Sequence, residues 1–225
     1  MSGAVARMHS VHLAPHAFGV HEFAVTLLMW LGMSVAMMLP AATPAIRAYA
    51  GLAAIQGDTG KRHGLLGPFI GGYLGVWAGF GLLAATAQCL LAFLVQSATA
   101  LNAGGSTPLA GSLLVMAGLY QFSALKTSCL NKCRSPLAYF LAHWRAGSRG
   151  AFDLGRRHGL HCLGCCWALM ALMLIGGAMN LAWAALLTAL LLAEKIAPAG
   201  PLIGRAVGLG LVGWGGALLA VAAQA

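Results

Sequence analysis

Five of the six cysteines fall in two short stretches. Cys129 and Cys133 lie within Lys126-Thr127-Ser128-Cys129-Leu130-Asn131-Lys132-Cys133-Arg134, and Cys162, Cys165 and Cys166 lie within His161-Cys162-Leu163-Gly164-Cys165-Cys166-Trp167. A Cys-x-x-Cys spacing lets two sulfurs meet one ion. In a reducing compartment a clustered set of thiols suits metal binding or redox exchange better than a structural disulfide. Four thiolates in a tetrahedron suit zinc, whereas thiolate mixed with thioether favours copper(I), a soft monovalent cation matched by soft ligands.

Methionine supplies the thioethers. Cys162, Cys166, Met170 and Met173 recur at i, i+4, i+8 and i+11, one continuous helix face, and Met29, Met33 and Met37 recur at i, i+4 and i+8. Together they could line a sulfur track from the bilayer interior to the thiols. Methionine stripes also serve as packing material, and Cys89, alone in an apolar run, reads as a small hydrophobe. The candidate metal ligands are therefore Cys129, Cys133, Cys162, Cys165 and Cys166, with Met37, Met170 and Met173 as auxiliaries. The expected ion is copper(I), with zinc as the alternative.

The elements that would position these sulfurs follow from composition. The 225 residues are 60% hydrophobic and only 8% charged, and 31 are glycine. Soluble domains carry about 25% charged residues, so the composition indicates an all-α, polytopic membrane helix bundle in which glycines mark close helix contacts. A helix needs about 20 apolar residues to cross the hydrocarbon core. Six windows come near: 22–39, 67–95, 108–125, 162–179, 180–193 and 206–223. The second is over-long, with Gly79 or Gly81 as a point of tilt or breakage, and the fifth is short.

Charge supports six. Arg47, Lys61, Arg62, Lys126, Lys132, Arg134, Arg145, Arg149, Arg156, Arg157, Lys195 and Arg205 then all fall in loops on one side, leaving Arg7 opposite, as expected where cytoplasmic loops are basic. Read as one helix, 162–193 would be about 48 Å long, too long for a bilayer without strong tilt. Both termini are thus expected outside, and the cysteines at the cytoplasmic boundary. Residues 1–21 read as an extracytoplasmic tail with Met8, His9, His12, His16 and His21 as metal-capturing groups or a plain solvated tail. Residues 22–225 read as one transmembrane domain with a basic cytoplasmic loop at 127–161. The first helix is expected to be retained, not cleaved as a signal peptide.

That basic loop meets anionic lipid headgroups, and nucleic-acid binding need not be invoked. Gln88, Gln121, Asn180 and Glu194 are polar residues expected to bridge helices or support the site, with Glu194 and Lys195 neutralising one another. Gly71, Gly75 and Gly79 are expected to mark a close helix contact. No nucleotide-binding loop, hydrolase elbow or Cys-x-x-Cys-His haem site is present, so ATP-driven pumping and c-type haem ligation are unsupported.

Trp30-Leu31-Gly32-Met33, Ala36-Met37-Met38-Leu39-Pro40, Ala117-Gly118-Leu119-Tyr120-Gln121, the run from Lys126 to Pro136, Gly159 through Trp167, Gly177-Ala178-Met179-Asn180 and Glu194-Lys195 together resemble the DUF2182 family. This is a bacterial group of predicted metal-binding integral membrane proteins sometimes labelled copper chaperones. The resemblance implies metal binding in the inner membrane, with the bilayer and a membrane metalloenzyme or metallochaperone as partners. Ala184 stands where the resemblance leads one to expect another methionine.

Three functions compete. The first is copper handling for homeostasis or enzyme assembly. The second is a thiol-disulfide oxidoreductase whose attacking cysteine draws on Lys126, Lys132, Arg134 or His161 for positive surroundings. The third is a non-catalytic subunit of a larger membrane complex. All rest on one topology, so a reporter fused after residue 150 should register cytoplasm and one at residue 225 periplasm. The reverse pattern would overturn the compartment argument.

Overall fold

The computed structural model describes residues 19–55, 62–100, 106–176 and 180–224. They are helical almost throughout: α1 Val20–Ile55, α2 Arg62–Ala100, α3 Ser106–Tyr120, α4 Ala124–Arg134, α5 Pro136–Ala142, α6 Gly147–Ala171, α7 Met173–Gly176, α8 Leu181–Ile196 and α9 Gly200–Ala222. No strand occurs among the described residues. The all-α expectation therefore holds.

Among the described residues, three helices are long and apolar enough to cross a membrane: α1, the Leu65–Leu94 part of α2, and α9. The bent pair Pro108–Tyr120 and Ala124–Arg134, at 61°, makes a fourth if it is one span. The count of six is not confirmed: α8 is only 16 residues long, and residues 162–176 are divided between the end of α6 and α7.

Other departures have local causes. α1 runs through Pro40 and Pro44, where the sequence suggested an end near Leu39. Proline removes a helical hydrogen bond but is tolerated where neighbouring helices cover the backbone. α2 is unbroken at Gly79 and Gly81. The stretch read as a basic loop is largely helical: Ser123 starts α4 by accepting from the Lys126 amide at 3.1 Å, and Lys132 and Arg134 complement its C-terminal dipole. On α6, Asp153 accepts from Arg156 at 2.8 Å and Arg157 at 2.7 Å, which hold its carboxyl below the usual carboxylate range.

α2 packs chiefly on α6, α3 on α9, and α1 on α2. The expected glycine contact is displaced by one residue. Gly71, Gly75 and Gly79 face open space, while a Cβ on Gly72 would lie 2.1 Å from the Phe152 carbonyl oxygen and one on Gly155 2.0 Å from that of Phe69. α3 meets α9 in the same way, with a Cβ on Gly118 falling 2.8 Å from the Gly208 carbonyl oxygen. Small residues here let backbones touch, which is how helices associate where lipid removes the hydrophobic driving force.

A buried ion pair ties α4 to α8. Lys126 Nζ donates to Glu194 Oε2 at 2.6 Å, with both side chains at most 3% exposed, and donates also to Gln121 Oε1. Glu194 and Lys195, expected to neutralise one another, take different partners. Adjacent residues on a helix point about 100° apart and do not face each other. Gln88 bridges helices as expected, accepting from Trp30 Nε1 at 2.8 Å, and Asn180 caps α8 by accepting from the Trp183 amide at 3.1 Å.

Two stability outcomes follow. Gly72→Ala should lower the unfolding midpoint in detergent by an overpacking cost of about 1–3 kcal/mol. Gly71→Ala should be neutral or stabilising by at most about 1 kcal/mol; equal effects at both positions would refute the contact. Glu194→Gln should cost about 3–5 kcal/mol by stranding the Lys126 charge, and the double change Lys126→Met with Glu194→Leu should restore most of it in the same denaturation assay.

Candidate metal centre

α6 supplies the largest share of sulfur. Its helical period puts Cys162, Cys166 and Met170 on the face turned inward, Cys165 lies beside them, and Met173 follows at the start of α7. None of the three cysteines is more than 2% exposed, and both methionines are fully buried. α1 brings Met37, only 4% exposed, into the same core. α4 contributes Cys129, at the edge of burial, and the half-buried Cys133. All eight residues expected to act as ligands thus border one packed cluster, with Cys133 on its margin.

Within it, Cys165 Sγ stands 4.0 Å from Cys133 Sγ, so the thiols of α4 and α6 meet across the helix contact. Cys133 interacts with Cys162 as well. Two sulfurs sharing one ion at about 2.3 Å lie between about 3.8 Å apart in a tetrahedron and about 4.6 Å apart in a line, a range that includes this pair. Cys165 Sγ and Cys166 Sγ both donate to the Cys162 carbonyl, at 3.0 and 2.9 Å. Gly164 sets the approach of α4: a Cβ there would lie 2.7 Å from Cys129 Sγ. The Tyr120 hydroxyl donates to the Gly164 carbonyl.

Cys162 is the most heavily contacted sulfur. Lys195 Nζ donates to it at 3.0 Å from α8, and the Tyr73 hydroxyl of α2 lies 3.2 Å away while donating to the Met38 carbonyl at 3.0 Å. Three helices, α2, α6 and α8, therefore meet at this atom, and α1 is joined to them through Tyr73. Of the positive surroundings expected, Lys132 lies near Cys129, whereas Lys126, Arg134 and His161 are placed elsewhere. Lys126 is held by Glu194, Arg134 donates to the Glu194 and Ala197 carbonyls at 2.7 and 2.8 Å, and His161 packs edge-on against Tyr139.

Three participants escaped the sequence reading. Lys195 looked spoken for by its neighbour, Tyr73 was one aromatic in an apolar run, and Gly164 carried no sign that a sulfur would fill its place. His158, also missed, is buried between Phe69, Tyr73 and Phe140 just beside the thiols. Cys89 stays apart on α2, beside Thr26. His21 is exposed, and Met8, His9, His12 and His16 lie outside the described residues.

All six cysteines are free thiols. Among the described residues no group of three or more His, Cys, Asp or Glu side chains is already arranged to hold a metal ion. The donor set is nonetheless chemically coherent. Free thiols and thioethers with one ammonium and no carboxylate among the described contacts of Cys162 suit a soft, low-charge ion better than a hard one.

No curated protein and no solved structure matches the chain. The profile of one family does, over residues 27–218, a stretch that takes in every sulfur of the cluster. By that match the chain belongs to the PpoB2 family, the copper chaperones.

Proposed function

We propose that this protein is a multi-pass protein of the bacterial inner membrane that binds copper(I) as cargo and holds or passes it for copper homeostasis or assembly of a copper enzyme. Cys129, Cys133, Cys162, Cys165 and Cys166 are the ligands in this reading, with Met37, Met170 and Met173 as auxiliary thioethers. Both termini face the periplasm and the thiols lie toward the cytoplasm, a reducing compartment. The DUF2182 resemblance belongs to the same reading.

The observation that carries it is the convergence of α1, α4 and α6 on one buried, sulfur-rich core. Family membership adds copper. Thiolate together with thioether adds the preference for the monovalent state, because soft donors select it over zinc. A thiol oxidoreductase is the second reading, favoured by the ammonium placed 3.0 Å from Cys162 Sγ.

Protein purified anaerobically in detergent should bind copper(I) stoichiometrically and keep it against zinc. Cys165→Ser or Cys166→Ser should cut occupancy severalfold, and Cys89→Ser should not, by elemental analysis with a parallel thiol count. Zinc binding alone, indifferent to Met170→Leu, would indicate a closed zinc site instead. A specific mixed disulfide trapped in cells at Cys162 or Cys165, with metal content unaffected by the serine changes, would establish the oxidoreductase.

A further inference from the structure

Met29, Met33 and Met37 all line one groove of about 570 Å³ between α1 and α8. Its opposite wall includes Ala184, Ala185 and Ala189, whose small side chains leave the space open. Thr188 also lines the groove, but its hydroxyl donates to the Ala184 carbonyl at 2.7 Å and is occupied within its own helix. The strongest donors facing the space are therefore the thioethers. Met29 and Met33 are half-buried and Met37 is 4% exposed, so the row runs from accessible to enclosed.

Both walls lead to the same atom. On α1, Met38 follows Met37, and its carbonyl takes the Tyr73 hydroxyl that lies 3.2 Å from Cys162 Sγ. On α8, Leu192 lines the groove, and Lys195, less than one turn further, places its Nζ 3.0 Å from that sulfur. At its inner end, each wall of the groove is therefore followed in sequence by a residue tied to this sulfur, Met38 through Tyr73 and Lys195 directly.

We propose that this groove is the path by which copper(I) reaches Cys162, with Met29, Met33 and Met37 as successive thioether ligands. The inference rests on the copper(I) reading above and extends it from where the ion is held to how it arrives. Residues four apart on a helix have Cβ atoms about 5–6 Å apart, within reach of two flexible methionines sharing one ion. Three such residues cover about 12 Å of α1. A neutral thioether binds the soft ion and gives it up without a change of its own charge, whereas the thiols at the inner end retain it. On arrival the ion takes the position beside Cys162 that the Lys195 ammonium holds; each thiol that binds it releases its proton to solvent, and Lys195 remains as a nearby counter-charge to the thiolates formed.

The test follows uptake from the coloured copper(I)–bicinchoninate complex by stopped flow, using the full chain in detergent. Met29→Leu with Met33→Leu preserves size and apolarity but removes two sulfurs. Uptake should slow by about tenfold or more while the final copper content stays that of the wild type. Ala185→Phe, which narrows the groove without removing a sulfur, should slow it likewise. Wild-type rates in both variants would overturn the path and leave the copper site standing, as expected if lipid alone fills the groove. Lower final content at an unchanged rate would also overturn it, by making the methionines part of the holding site. A wild-type protein that takes up no copper(I) would overturn both readings together.

Discussion

Where α2 crosses α6, backbone meets backbone with no side chain between, and the position of every sulfur in the core depends on that contact. With a Cβ on Gly155 only 2.0 Å from the Phe69 carbonyl oxygen, the two helices can neither slide nor rotate by a residue without collision. Cys162 lies seven residues beyond Gly155, about two turns on and on the same face. It emerges against Tyr73, which in turn reaches the Met38 carbonyl of α1. One close crossing thereby sets the relation of three helices, and Gly164 repeats the device for α4 by leaving room for the Cys129 sulfur.

Charge imposes the second constraint. Lys126 lies in an apolar core and has a carboxylate at 2.6 Å; Lys195 reaches inward and has a sulfur at 3.0 Å. Both pairs involve α8, whose final turn is closed by Arg134 from α4 through two backbone carbonyls. The last turn of α8 is thus held by side chain and backbone alike, and with it the ammonium that faces Cys162. Burial without such partners would be costly for either lysine.

The features legible in the sequence were those written in residue type and period. An 8% charged chain rich in apolar residues had to fold as helices, and the four-residue steps of Cys162, Cys166 and Met170 had to share a face. What stayed hidden depends on tertiary contact. Gly71 and Gly72 are indistinguishable as letters, and only the rotation of α2 decides which one α6 touches. The prolines of α1 read as an end because the packing that accommodates them is not local. The basic stretch read as a loop because positive-inside charge and a capped amphipathic helix leave similar compositions. Lys195 was misassigned because proximity in sequence is a poor guide to proximity around a helix.

The depth of Cys162, Cys165 and Cys166 has a consequence for cellular chemistry. At no more than 2% exposure, these thiols are screened by size. Glutathione, a tripeptide present in large excess, cannot bring its sulfur within bonding distance of them without local opening of the helices, and neither can a folded redox partner. A bare ion or a peroxide molecule needs a far smaller opening than either of them. Steric exclusion therefore separates the inner thiols kinetically from the thiol pool of the cell, whatever their intrinsic reactivity, and leaves the smallest soft species as those with the readiest access.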